Sequence, residues 1–170
     1  MICCSSSEWL FVCIEVCPSF NPIPSCLMKT LFEENYLTCH YDETIPVIAH
    51  RWNGFVKGDL FRSGIQRCLG EYTRIKNQSG NQPLHWICNS TDLKVLAPKD
   101  SEWVNTEFAE MLLQRRIRRI AMIIAKDVFA QMAVTSFEKA VGTKAGTSNQ
   151  DVITRFFANE EEAKTWLKFQ

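Results

Sequence analysis

Short apolar runs alternate with amphipathic segments along the chain. Five runs are rich in β-branched and aromatic residues and bounded by turn residues, which predicts strands over 37–41, 46–52, 83–89, 120–125 and 152–157. Four segments repeat apolar residues at intervals of three and four, which predicts amphipathic helices that begin at 59, 98, 127 and 159. The first two strands are expected to form a hairpin, and the later strands alternate with helices, which favours parallel pairing. The pattern therefore predicts a single α/β domain, a four- to five-stranded, mostly parallel sheet with an N-terminal hairpin and four amphipathic helices.

The composition changes at Met28. Five of the eight cysteines precede this residue, and residues 1–27 contain no Lys or Arg. Glu15 interrupts the apolar run of this leader and three prolines follow, so neither a signal peptide nor a membrane-spanning helix is expected. The cysteine spacing does not suit a paired zinc site. We predict that residues 1–27 are disordered or absent from the natural protein, and that residues 28–170 form the folded domain.

Net charge and the positions of the cysteines indicate the cellular compartment and the class of partner to expect. The formal net charge is zero and the pI is about 6.8, which gives no overall field to attract nucleic acid. After Met28 the cysteines are scattered singly at Cys39, Cys68 and Cys88, as is typical of reduced thiols. We therefore expect a cytoplasmic protein that binds no nucleic acid and does not span a membrane.

Motifs for bond-making chemistry are not evident in the sequence. No Gly-x-Ser-x-Gly elbow stands between a strand and a helix, and the loop 142–148 lacks the spacing of a phosphate-binding loop. The hairpin could bring His40 beside His50, but no third metal ligand stands at a diagnostic spacing. We therefore assign no catalytic residue, no metal and no cofactor, and expect a protein that is not an enzyme.

Several short stretches, in this order of elements, resemble the STAS-like domains, the family of anti-sigma-factor antagonists and sulfate-transporter tails. The likeness covers most of residues 28–169 and is strongest to the bacterial SpoIIAA-like and STAS/SEC14-type proteins. It lies in Trp52-Asn53-Gly54-Phe55, Trp86-Ile87-Cys88-Asn89, Leu93-Lys94-Val95, Arg119 to Ala125, Arg155-Phe156-Phe157, Glu162-Ala163 and Trp166-Leu167. The resemblance implies a signalling or regulatory module that binds an unidentified protein partner without catalysis. A homodimer is compatible with it, and a small apolar ligand or lipid is the alternative to a protein partner.

The resemblance also implies a phosphorylation site. In the members switched by phosphorylation, a Ser follows the central strand at the start of a helix, where open backbone N–H groups meet the phosphate. That position corresponds to Ser90, with Thr91 and Ser101 as alternatives. Here about ten residues separate Ser90 from the next helix, and the other interpretation is that these hydroxyls cap turns and the helix.

Two further groups of residues are candidates for binding. Trp52, Asn89 and Trp103 are expected near the strand ends, where open α/β sheets bind ligands, and they could line an apolar pocket. Four arginines at the predicted end of the second helix could hold a phosphate or an anionic lipid, or could simply complement the helix dipole. They are Arg115, Arg116, Arg118 and Arg119.

Overall fold

The computed structural model describes residues 28–80, 82–124 and 152–169. The strands are β1 Met28–Glu34, β2 Leu37–Asp42, β3 Val47–Gly54, β4 His85–Leu93, β5 Arg119–Ile123 and β6 Ile153–Phe157. The helices are α1 Asp59–Ser79, α2 Pro98–Trp103, α3 Ala109–Gln114 and α4 Glu160–Lys168, and a π-helical turn, Val104–Phe108, joins α2 to α3. The predicted N-terminal extension and the predicted helix beginning at residue 127 lie outside the described residues.

The six strands form one sheet in chain order, β1-β2-β3-β4-β5-β6. The pairs β1–β2 and β2–β3 are antiparallel, and the three pairs from β3 to β6 are parallel. The predicted α/β class, the hairpin and the mostly parallel pairing are confirmed. The predicted number of strands was too small, because β1 exposes nearly all of its side chains and buries only Phe32.

Alternation along the strands divides the core into two layers. On one face of β3, Ile48 and Trp52 pack beneath α1, and on the other Val47 and Ala49 belong to the layer that includes α4. The α1 layer is aromatic, and its rings touch in a chain that consists of Trp52, Phe61, Trp103 and Phe108. The α4 layer is built mostly from smaller side chains, so α4 can lie close to the sheet.

Close packing of α1 depends on Gly64. A Cβ atom at this position would lie 2.7 Å from Cη2 of Trp52 and 2.8 Å from Cδ2 of Leu37. Such distances are shorter than any ordinary van der Waals contact, so only glycine fits without movement of its neighbours. The helix is thereby held directly against the indole of Trp52.

The π-helical turn was not expected, since the pattern predicts one continuous helix from residue 98. In the structure Trp103 and Phe108 stack with ring centroids 6.1 Å apart and planes 11° apart. Residues five apart lie on different faces of an α-helix, and the wider π turn brings them onto one face. The turn therefore places both rings in the α1 layer.

The C-terminal helix α4 is tied to the start of the sheet. Its N-cap Asn159 accepts a hydrogen bond from the Glu162 backbone at 2.9 Å, as predicted for a cap at this residue. Nζ of Lys164 lies 2.9 Å from Oδ2 of Asp42 at the end of β2 and 3.0 Å from Oε1 of Glu160. Hydrogen bonds from Thr44 and Lys164 lower the pKa of Asp42 although burial opposes them, so this carboxylate stays charged.

Candidate binding surface

The predicted ligand-binding residues are not brought together. Trp52 and Trp103 lie in the α1 layer, each at least 96% buried, and the ring of Phe61 fills the space between them. Asn89 lies on the opposite face of β4, since it follows Cys88 of the α1 layer and pairs in register with Arg51 and Ile123. In the part of the chain that the structure describes, the expected apolar pocket is therefore not formed, and a ligand-binding role for these residues stays a prediction.

Ser90 lies inside β4 and not after it. The strand continues to Leu93 because its polar end pairs with β3, where Asn53 is in register with Asp92. Ser90 is half-buried with Oγ 3.5 Å from Sγ of Cys88, while Thr91 donates from its backbone N–H to Oδ1 of Asn89 at 3.1 Å. The expected place of Ser90 beyond the strand was thus wrong, and phosphorylation of these hydroxyls stays a prediction.

The four arginines lie on the turn from α3 to β5 and not along a helix. Arg115 follows the last residue of α3, and its Nη1 donates to the Met111 carbonyl at 3.1 Å, as expected for a cation at a helix end. Arg116 has a φ of 57°, Arg118 is exposed, and Arg119 begins β5. An anion-binding role for Arg115, Arg116, Arg118 and Arg119 stays a prediction.

A histidine and three thiols lie close together in the buried core beneath α1. His50 pairs in register with Cys39 on one side and Cys88 on the other, and Cys68 approaches from α1. His50 is 1% exposed, neither ring nitrogen has a hydrogen-bond partner among the described residues, and burial lowers its pKa to about 3. Burial raises the pKa of Cys88 to about 11 and that of Cys68 well above its usual value. His50, Cys68 and Cys88 are therefore neutral at pH 7, and neutral thiols are poor nucleophiles.

The pairing of His40 with His50 was wrong. The register places His40 opposite Ala49, so the two imidazoles face opposite sides of the sheet. Within residues 28–80, 82–124 and 152–169, no three His, Cys, Asp or Glu side chains are arranged to hold a metal ion.

Exposed apolar side chains lie on the two loops at the carboxyl ends of β3 and β4 and on the first turn of α1. Phe55 is 80% exposed, and Leu60 and Val95 are exposed to nearly half their area. The backbone N–H of Lys94 donates to the Gly54 carbonyl at 2.9 Å, which joins the two loops directly beside Phe55 and Val95. We call Phe55, Leu60 and Val95, together with the lysines around them, the sheet-end surface.

A buried carboxylate fixes the first of these loops. Asp100 is 1% exposed and accepts hydrogen bonds from the Gly58 backbone N–H at 2.7 Å and from Nε of Arg62 at 3.2 Å. Gly58 has a φ of 61°, a conformation that favours glycine. The loop that carries Phe55 is thus held by hydrogen bonds at both ends.

The sheet-end surface is positively charged. Its lysines are exposed and lie on the two loops or at the start of α2; they are Lys57, Lys94 and Lys99. The charge of Arg62 is balanced by Asp100, and the exposed carboxylate of Asp59 offsets one of the three lysines, so the surface keeps a net positive charge. The surface therefore combines exposed apolar side chains with cationic neighbours.

An acidic cleft of about 660 Å³ lies beside this surface. It is formed by the β1–β2 turn and the ends of β3 and β4, and its walls carry three carboxylates and one guanidinium; the lining residues are Glu33, Glu34, Asn35, Leu37, Thr38, Arg51, Asn53 and Asp92. Nε of Arg51 donates to Asp92 at 2.9 Å, and Nη1 of Arg67 from α1 donates to Glu34 at 2.8 Å. Glu33 is exposed and has no ion pair to any described residue.

The apolar pattern of the sequence marks neither the sheet-end surface nor the acidic cleft. Phe55 belongs to the stretch Trp52-Asn53-Gly54-Phe55, but the apolar pattern does not distinguish a displayed ring from a buried one. A usable signal is the segment Gly54-Phe55-Val56-Lys57-Gly58, in which two glycines bracket an aromatic ring and a lysine. The lining residues of the cleft come from three separate segments of the chain, so no local pattern marks it.

The fold and these surfaces define a mixed α/β domain with a candidate protein-binding surface. No family model matches the chain, and no curated protein matches it. The chain is similar to one solved structure, an uncharacterized protein of the DUF3478 family with a SpoIIAA-like fold from Shewanella loihica PV-4. The identity is 11%, the match covers 82% of this chain and 91% of that one, and the TM-score is 0.44.

No helix among the described residues is both long and apolar enough to cross a membrane.

Proposed function

We propose that this protein is a non-catalytic, cytoplasmic binding domain that acts by protein–protein contact, in a regulatory or adaptor role, through its sheet-end surface. The observation that carries the proposal is Phe55, which is 80% exposed on a loop fixed by hydrogen bonds at Gly54 and Gly58. Full burial of such a side chain contributes about 1.5–3 kcal/mol. Burial of the exposed Phe55 ring by a partner would therefore stabilise the complex.

The rigidity of the loop strengthens this interpretation. Ordering a flexible segment on binding opposes association, and a loop already held in place avoids most of that entropy loss. Aromatic side chains at the centre of an interface commonly supply most of the binding free energy. The lysines around Phe55 favour an acidic partner and speed its approach.

The state of the core titratable groups supports a non-catalytic role. A general acid or base works best with a pKa near the working pH and within reach of the substrate. His50, Cys68 and Cys88 are buried, and burial moves the pKa of each away from neutrality in the direction that keeps it uncharged. These residues therefore serve the packing of the core.

The alternative function, a pocket for a small apolar ligand or lipid, has less support. Aromatic rings fill the space between Trp52 and Trp103, and the acidic cleft has charged walls. An apolar ligand would have to desolvate those charges without compensation. A protein partner with charged groups of its own would compensate the charges of the cleft better than an apolar ligand.

The proposal is tested by capture of partners with a Phe55→Asn variant. Tagged full-length protein, expressed in the organism that carries the gene, is expected to retain a partner that the variant loses. The matched control is Phe169→Asn, which removes a ring of similar exposure, 75%, next to α4. Capture of the same proteins by wild type and Phe55→Asn would refute the sheet-end surface as the binding site. Turnover of a substrate by the purified protein would refute the non-catalytic role.

A further inference from the structure

We propose that the sheet-end surface binds a second copy of this chain. In the resulting two-fold dimer, the apolar side chains of the two copies bury against each other, and the lysines of each copy reach the acidic cleft of the other. This inference rests on the proposed function, since it names the partner of the same surface. Its argument comes from the position and charge of the two neighbouring features.

The sheet-end surface and the acidic cleft are continuous. Asn53 lines the cleft and stands two residues before Phe55, and Asp92 lines the cleft two residues before Lys94. The backbone N–H of Asn53 donates to the Tyr36 carbonyl at 3.0 Å, which fixes the β1–β2 turn to the end of β3. A two-fold interface uses the same patch on both copies, so complementary halves must lie side by side on one surface. That condition is met here.

The charges of the two halves are complementary. The sheet-end surface presents Lys57, Lys94 and Lys99, whereas the cleft has more carboxylates than guanidiniums on its walls. Arg51 and Arg67 pair with Asp92 and Glu34, so Glu33 is the lining carboxylate without an ion pair to a described residue and gives the cleft its net negative charge. When one copy is rotated by two-fold symmetry, cationic and anionic regions face each other twice.

The arrangement also has the usual anatomy of an interface, an apolar centre with a charged rim. Phe55 and Val95 flank the hydrogen bond that joins the two loops, so in both copies they would lie near the symmetry axis. The lysines and the carboxylates surround them. A residue near a two-fold axis contacts the same residue of the other copy. Two apolar side chains attract each other in that position, whereas two lysines would repel.

Charge reversal tests this geometry. The first variant, Lys57→Glu/Lys94→Glu, makes the sheet-end surface acidic, and the second, Glu33→Lys/Asn53→Lys, makes the cleft basic; all four positions are exposed. Each variant alone opposes like charges in both halves of the dimer. In a mixture of the two variants, both halves are again complementary, so a heterodimer is expected.

The measurement is sedimentation equilibrium of the full chain, with one variant fluorescently labelled in the mixture. We expect the wild type to dimerise and each reversed variant to bind itself roughly 100-fold more weakly or worse, with affinity restored in the mixture. Phe55→Asn is expected to weaken the dimer roughly 30-fold. Circular dichroism of each variant checks that it is folded.

The outcomes distinguish the inference from the proposed function. A wild-type protein that stays monomeric at roughly 0.1 mM, or a mixture that forms no heterodimer, overturns the two-fold dimer. If Phe55→Asn still loses a different captured protein, the surface is a binding site for that protein and only the dimer is wrong. If Phe55→Asn changes neither capture nor self-association, both proposals fail.

Discussion

Replacement of His50 by leucine should remove much of the acid sensitivity of this fold. In the folded protein burial lowers the pKa of His50 to about 3, whereas an unfolded histidine has a pKa of about 6.5. Below pH 6.5 His50 therefore binds a proton in the unfolded chain but stays neutral in the folded chain. The contribution of His50 to stability is fully present above pH 6.5 and is lost as the pH falls toward 3.

The size of the effect follows from the two pKa values. Each pH unit below 6.5 lowers the free energy of unfolding by about 1.4 kcal/mol, so at pH 4.5 the wild type has lost about 2.7 kcal/mol through His50 alone. The His50→Leu variant lacks this loss. It also lacks the two ring nitrogens that are buried without partners, which adds about 1 kcal/mol of stability at every pH.

Urea unfolding measures both effects, since four of the five tryptophans are buried and their fluorescence reports the core; they are Trp52, Trp86, Trp103 and Trp166. The free energy of unfolding is compared at pH 7.5 and pH 4.5 for wild type, His50→Leu and the control Ile48→Val. The control lies on the same strand and should lose about 1 kcal/mol equally at both pH values. If the wild type and His50→Leu lose stability in parallel, to within about 0.5 kcal/mol, then His50 titrates normally in the folded protein and the reasoning fails.

Two further changes test the packing around the sheet-end surface. Gly64→Ala should destabilise the fold by about 2 kcal/mol, because its methyl group would lie 2.7 Å from the Trp52 ring. Gly70→Ala should stabilise the same helix by about 0.5–1 kcal/mol, because a Cβ there meets nothing within 4 Å. Thermal unfolding measures both changes, and the same sign for the two substitutions would contradict this packing. Asp100→Ala should cost about 2 kcal/mol and loosen the loop at Gly58, seen as faster amide exchange there, and an unchanged exchange rate would show that the carboxylate does not hold the loop.

Much of the fold is predictable because its strongest signals are apolar. The run Leu84–Cys88 and the helix that begins at Asp59 bury side chains whose spacing alone predicts their structure. β1 was missed for the opposite reason, since Met28–Glu34 owes its conformation to pairing with β2 and not to its own pattern. The polar end of β4 is similar, and there the neighbouring strand extended the element beyond Asn89.

The candidate site was less predictable because it depends on which face each residue takes. Trp52 was a candidate for lining a pocket, with burial in the core as the other expectation, and it packs against Gly64 in a different element. The four residues Val47–His50 are all buried, so alternation of polarity gives no sign of which face the next residue takes. Phe55 on its loop is exposed and Phe61 in α1 is buried, and apart from the two glycines that bracket Phe55 the sequence does not separate them.

The bond between Lys164 and Asp42 has a consequence for how the chain matures on the ribosome. Domains begin to fold during synthesis, with N-terminal segments emerging first. Here the N-terminal meander and the first parallel strands can pair early, but the face that carries Val47 and Ala49 acquires Ala163 and Trp166 only after residues 160–168 have left the exit tunnel. Until then, among the residues that the structure describes, the side chains of this face lack the contacts that α4 supplies, and a nascent sheet in that state would be a natural client for ribosome-associated chaperones.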